Sequence, residues 1–336
     1  MNTKITFSKY MSSWLYDKDG YYSNYKQIGK QGDFFTSVSV SKFFGGAIAS
    51  KIVKLIDKKE LPKNSTIIEI GAHHGYLLAD IIQFIYTLKP ELLNTLNFAI
   101  VERFGNLQKK QKDYLYESFG DAIKLTHYND IKEVKSSNAF ILANEIFDAF
   151  ACDLIYKKDD ELLQAYVEKN SIFFDKIENE NIKEHCEKYK ITKGEICLEY
   201  NDFIKTLTRN IDNFYFLTFD YGDKDPRNDF SCRIYKDHET TPIFEKNLNL
   251  EKLYKNSDIT YDVHFNYLID LFKQNNCEVT FNTQANALIN FGIIDLLEIL
   301  RNNSDETTYL KETQKIKMLL EPTGMGDRFK ILLVKK

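Results

Sequence analysis

The chain has 336 residues, 43% of them hydrophobic and 28% charged, with a net charge of −4 and a pI near 6.0. This is a globular composition, long enough for one large or two moderate domains. It excludes a disordered polymer and a basic protein that grips nucleic acid or anionic membrane by charge. Five cysteines (Cys152, Cys186, Cys197, Cys232 and Cys277), widely spaced and without a C-x-x-C pair, argue against a disulfide framework or a zinc cluster.

No apolar run approaches the roughly 18 residues of a membrane span, and the opening MNTKITFSKYMSSW lacks the apolar core of a secretory signal. No membrane insertion and a cytoplasmic location are expected. Residues 1–30 carry Tyr10, Trp14, Leu15, Tyr16, Tyr21 and Tyr22, a helix with an aromatic stripe expected to pack on the main domain. GDFFTS at 32–37 precedes a helical pattern (Val40, Phe43, Phe44, Ile48, Ile52, Ile56) that Ser37 or Ser39 can cap. Gly32, Asp33, Thr36 and Ser37 cluster beside Phe34 and Phe35 more densely than a cap requires, which suggests a contacting loop. Residues 1–60 read as an N-terminal helical extension.

After a break at Pro62, residues 66–80 read TIIEIGAHHGYLLAD: a buried strand, a turn with Gly71 and Gly75, and a helix start. Such a turn places backbone N–H groups where a nucleotide-like ligand can meet them. As a dinucleotide fingerprint it is poor, because His73 stands where the middle glycine belongs. The helix stops at Lys89-Pro90. Apolar runs at 97–102, 122–125 and 139–145 alternate with helical patterns, one of them carrying Leu107, Gln111, Tyr114 and Leu115. That is the βαβα rhythm of a parallel sheet covered on both faces. Short strands at 153–156, 164–167 and 171–174 then suggest an inserted antiparallel meander, followed by a helix at 181–189, a strand at 195–200 and a helix at 201–210. The clearest late strand is 214–222; 223–258 is loop-like and charged, 263–275 helical, 278–281 a strand, 285–300 one helix and 329–334 a closing strand. The main domain is 61–336, with insertions at about 151–210 and 223–262.

In an open α/β sheet, ligands bind beyond the carboxyl ends of the strands. Those ends carry Glu69 before Gly71, Glu102, Asn144 with Glu145, and Asp220. An acid after the second strand suits a ribose diol, whose two hydroxyls can donate to two carboxylate oxygens. No P-loop lysine follows the turn, no G-x-S-x-G elbow is present, and the histidines lack metal-ligand spacing, so no metal is expected. What remains is an adenosine cofactor held without a phosphate cradle, as S-adenosylmethionine (SAM) is.

The ordered segments GDFFTS, EIGAHHGYLLADI, IVER, LANEIFDAF, FDYG, YDVHFNYL, NTQANALINFGI and EPTGMGDRFKILL resemble the MidA-like family, which includes a mitochondrial complex I assembly factor regarded as a protein arginine methyltransferase. The resemblance implies a class I, Rossmann-like SAM-dependent methyltransferase: an α/β fold with a mostly parallel sheet, helices on both faces, and inserted α+β elements. It implies that Glu69, Gly71, His73 and Gly75 form the SAM loop, that Glu102 holds the ribose, and that Asp33, Phe34 and Thr36 close over the cofactor. Asn144, Glu145 and Asp148 are implied at the transfer site, with Asn144 also near the cofactor. A spacing of three puts Glu145 and Asp148 on one face if the stretch is helical. The chain departs from the family where His73, His74 and Tyr76 stand for the glycine, arginine and threonine of its loop, and where Val38 and Ser39 stand for Pro and Glu. Three readings stay open: a methyltransferase of a protein side chain, a non-catalytic assembly factor retaining the fold, and a small-molecule methyltransferase. A protein substrate is implied and a homodimer is compatible with the sequence.

Overall fold

Ile67, Ile68 and Ile70 form the kind of apolar run that a strand covered on both faces requires. In the computed structural model, which describes residues 4–23 and 36–336, they lie in β1 (Thr66–Ile70). With β2 (Asn97–Val101), β3 (Leu125–Tyr128), β4 (Ser136–Asn144), β5 (Ile211–Asp223), β6 (Glu278–Thr283) and β7 (Phe329–Lys335), β1 builds a mixed sheet in the order β3-β2-β1-β4-β5-β7-β6. The strands from β3 to β5 are parallel, and β7 runs antiparallel between β5 and β6. The chain winds outward in one direction from β1 and in the other from β4. The carboxyl ends of these two neighbours are therefore the switch point at which open α/β sheets bind ligands.

Helices cover the sheet. α1 (Phe43–Asp57) and α2 (Tyr76–Leu88) bury Phe44, Ile48, Ile52, Ile81, Ile82 and Ile85 in one core with Ile67, Phe98, Phe140 and Leu217 of the strands. α3 (Gly105–Phe119) contributes Leu115 to the same core. By its contacts the chain divides into two units, and this sheet belongs to the one made of Thr36–Ile146, Phe203–Tyr221 and Phe272–Lys336.

The other unit gathers Met1–Phe35, Phe147–Asp202 and Gly222–Leu271. Its antiparallel meander (Asp153–Lys158, Glu161–Glu168, Ser171–Lys176) forms where short antiparallel strands were expected, and Lys193–Ile196 extends it. A small core of Ile155, Ile177, Ile182, Cys186, Ile191 and Ile196 supports it. The segment read as loop after residue 222 also forms an antiparallel sheet, of Arg233–Lys236, Glu239–Pro242 and Asp258–Thr260. Its strands are short and largely polar, so no apolar alternation announced them. The aromatic N-terminal helix (Phe7–Tyr16) finds its partners in its own unit: the Trp14 indole N–H donates to the Ser257 carbonyl at 2.7 Å, and Tyr10 stacks on Tyr254 at 4.8 Å.

Two further differences follow from local chemistry. β3 begins where the expected strand at 122–125 ended, because Gly120–Ala122 close a 3-10 turn. The single helix expected over 285–300 is two, α4 (Gln284–Phe291) and α5 (Ile293–Asn303), broken at Gly292 with φ 107°. A Cβ on Gly292 meets Lys54 Nζ at 2.6 Å and Ser50 Oγ at 3.0 Å, and an L residue is strained at this φ. Gly292→Ala is expected to lower unfolding free energy by about 1–3 kcal/mol, measured as a shift of the urea midpoint at constant slope.

Candidate functional site

β1 delivers its acid inward. Glu69 is buried, its Oε2 accepts the N–H of Leu78 in the first turn of α2 at 3.1 Å, and burial pushes its carboxyl up to about 8. The chain then turns through three left-handed residues, Gly71 (φ 69°), His73 (φ 46°) and Gly75 (φ 80°), closed by the Gly75 N–H on the Ala72 carbonyl at 2.7 Å. Space at the glycines is tight: an added Cβ lies 3.2 Å from Ile146 at Gly71 and 3.1 Å from Leu115 at Gly75, and the positive φ strains any L residue there. His73 adopts the left-handed conformation without glycine's freedom, at a conformational cost. Its ring packs edge-on against His74 at 4.1 Å, His74 stacks on Tyr76 at 5.0 Å, and Tyr76 meets the edge of Tyr114 at 4.8 Å. Burial, with Lys110 nearby, lowers the His74 pKa, which favours the neutral ring.

Parallel pairing of Ile70 with Val101 brings the end of β2 beside this turn. Glu102 sits there, 6% exposed, its pKa raised by burial. Its Oε1 accepts the Phe104 N–H at 3.0 Å and its Oε2 a bond of 3.4 Å from Gln111 Nε2. Gln111, on α3 and fully buried, also donates to the His73 carbonyl at 2.9 Å and pairs its Oε1 with His127 Nε2 at 3.0 Å. Gln111 was legible in the sequence only as a member of a helical pattern. The available signal was an amide on the apolar face between Leu107 and Leu115.

β4 ends at Asn144, beside β1 on one side and opposite Phe219 of β5 on the other. Asn144 Nδ2 donates to Glu145 Oε1 at 3.0 Å, while its buried Oδ1 has no hydrogen-bond partner among the described residues. Glu145 is left-handed (φ 52°), and its N–H continues the ladder to the Phe219 carbonyl at 2.8 Å. The helical face expected to join Glu145 and Asp148 does not form: the backbone reverses hand at Glu145, and only Phe147–Ala149 make a 3-10 turn. Asp148 is 3% exposed and belongs to the second unit. Thr36, expected at the cofactor, is the N-cap of a short helix (Ser37–Val40), in a capping box with Ser39. Asp33 and Phe34 lie outside the described residues. Gln284 ties Ser37 to the Leu319 carbonyl through bonds of 2.9 and 3.0 Å.

These features fit SAM. The turn stands at the sheet's switch point, a carboxyl stands at the second strand end, and Asn144 Oδ1 is a buried acceptor. A buried acceptor without a donor costs about 1–3 kcal/mol, which a ligand N–H or O–H would recover. No group of three or more His, Cys, Asp and Glu side chains suited to a metal occurs among the described residues.

The fold is that of a methyltransferase that uses S-adenosyl-L-methionine. Residues 47–283 match the family described as S-adenosyl-L-methionine-dependent methyltransferase, and the chain belongs to it. The protein arginine methyltransferase NDUFAF7, mitochondrial, of Bos taurus is 25% identical over 98% of this chain and 79% of its own length. The Homo sapiens protein of the same name is 24% identical over 97% and 78%. A Burkholderia thailandensis protein crystallised with S-adenosyl-homocysteine superposes with a TM-score of 0.84 at 20% identity, covering 99% of this chain and 88% of that one. The MidA-like resemblance is borne out. The cytoplasmic location is not: the curated relatives are named as mitochondrial. The composition of the opening residues does not select the cytoplasm, since import into mitochondria is signalled by amphipathic, Arg- and Ser-rich segments and not by an apolar one. No helix among the described residues is long and apolar enough to cross a membrane.

Glu69 has a pH consequence. Its folded pKa, about 8, lies above the ordinary 4.5. The folded state therefore holds the proton more tightly, so this group's stabilisation is full below about pH 4.5 and is lost as pH rises through 8. The unliganded protein is expected to lose stability with rising pH at up to ~1.4 kcal/mol per unit from this group. Glu69→Gln should flatten that part of the profile in melts from pH 5 to 9; an unchanged slope excludes Glu69 as its source.

Proposed function

We propose that this chain is a class I methyltransferase that transfers the methyl group of SAM to an arginine side chain of a protein. The observation that carries the acceptor site is the pair at the end of β4, where Asn144 orients the Glu145 carboxylate and keeps one buried acceptor of its own. The arginine assignment is supported by the relatives named as protein arginine methyltransferases.

Bound SAM supplies an electrophilic methyl on a sulfonium with a good leaving group, so the protein's contribution is chiefly proximity and orientation. In this reading the turn through Gly71, His73 and Gly75 holds the methionine portion and Glu102 the ribose hydroxyls. Glu69 works from beneath, fixing the start of α2 against the strand. Glu145 accepts charge-assisted hydrogen bonds from the guanidinium and turns one nitrogen toward the methyl. Asn144 Nδ2 fixes the Glu145 oxygen, and Asn144 Oδ1 accepts a donor from the cofactor or the substrate. In this reading Thr36, the cap of its short helix, borders the cofactor.

Radiolabelled SAM, a mitochondrial extract and amino-acid analysis of the products test the reading. Label in methylated arginine of protein is expected; label confined to small molecules overturns it. Glu145→Gln is expected to lower methyl transfer about 10- to 150-fold, the worth of one charge-assisted bond, with SAM affinity retained. Unchanged transfer removes Glu145 from the mechanism.

A further inference from the structure

The amide of Gln111 can be oriented without ambiguity. Its Nε2 lies between two acceptors, the His73 carbonyl at 2.9 Å and Glu102 Oε2 at 3.4 Å. Its Oε1 therefore faces His127, so His127 Nε2 must carry a hydrogen to make the 3.0 Å contact. One buried side chain thus joins three loci: the turn after β1, the acid at the end of β2, and β3. The His73 carbonyl it holds belongs to the one residue of the turn that is left-handed without being glycine.

We propose that Gln111 is a positioning residue for the cofactor: it holds the non-glycine turn at His73 in its left-handed form and sets the Glu102 carboxyl relative to it. This rests on the reading that the turn and Glu102 hold SAM. Two physical points support it. First, a left-handed β-substituted residue persists only where its surroundings over-determine it, and the Gln111 N–H is a side-chain bond directed at that residue's own carbonyl. Second, Glu102 must present its carboxyl in one rotamer to receive a diol, and Gln111 with the Phe104 N–H fixes both its oxygens. A glycine at position 73 would need less support, so the contribution of Gln111 to cofactor affinity is coupled to the presence of His73.

The test is a cycle of Gln111→Met, His73→Gly and the double variant in the full chain, with SAM affinity measured by calorimetric titration and the melting temperature of each free protein measured beside it. Methionine keeps the shape and removes all three bonds. The expected result is a roughly tenfold weaker SAM affinity in Gln111→Met, falling to less than threefold when the same change is made in His73→Gly. An unchanged affinity in Gln111→Met, or the same loss in both backgrounds, overturns the proposal, because a merely structural amide would lower the melting temperature without coupling to His73. If Gln111→Met does not fold, Gln111→Asn, one methylene too short to reach both acceptors, takes its place in the cycle with the same criteria. Glu102→Ala separates the two readings: weaker SAM binding there without loss in Gln111→Met defeats only the positioning role, whereas no loss in Glu102→Ala defeats the cofactor assignment and this inference together.

Discussion

The turn that carries the chain from β1 to α2 is the constraint on which the site depends. It must reverse the backbone within a few residues at the sheet's switch point, and it does so by placing Gly71, His73 and Gly75 in left-handed conformations. Such a turn holds only when anchored from several sides. Glu69 anchors it from beneath through Leu78, Gln111 from the side through the His73 carbonyl, and the Gly75 N–H from within. The parallel register then places Glu102 and Asn144 at the ends of the two strands that flank β1.

Burial gives the acids of this unit different characters. Glu69 faces the core and is held toward its neutral form, suiting a brace. Glu102 is also buried, yet two donors on its oxygens oppose the desolvation and favour the carboxylate that a ribose diol needs. Glu145 is less buried, and the Asn144 amide already engages one of its oxygens. The same residue type thus serves as brace, as candidate ribose ligand and as candidate guanidinium ligand, according to depth and to the donors that surround it.

Much of the main sheet was legible because buried parallel strands read as short apolar runs ending in polar residues, and each such run here has a glycine, an acid or an amide at its carboxyl end. Edge and polar elements were less legible. β3, with Thr126 and His127 in its short span, and the strands after residue 222 have no apolar alternation, and the break at Gly292 lies inside a continuous helical pattern. Among site residues, the acids at strand ends could be found from position alone. The cap at Thr36 was not legible as such, because a capping threonine and a ligand-facing one have the same local pattern. The shared face of Glu145 and Asp148 failed because spacing predicts a face only within a helix, and the backbone changes hand between strand and turn.

What the sequence by itself determined is the alternation of apolar runs and helical patterns, the glycines of the turn, and the acids after the strands. These follow from local conformational preference and burial, which each segment carries with it. What only the tertiary structure decided is which of those residues meet. His73 in a glycine-like conformation, Gln111 joining it to Glu102, and the unpartnered oxygen of Asn144 all depend on strand order and register, which bring together positions far apart in the chain.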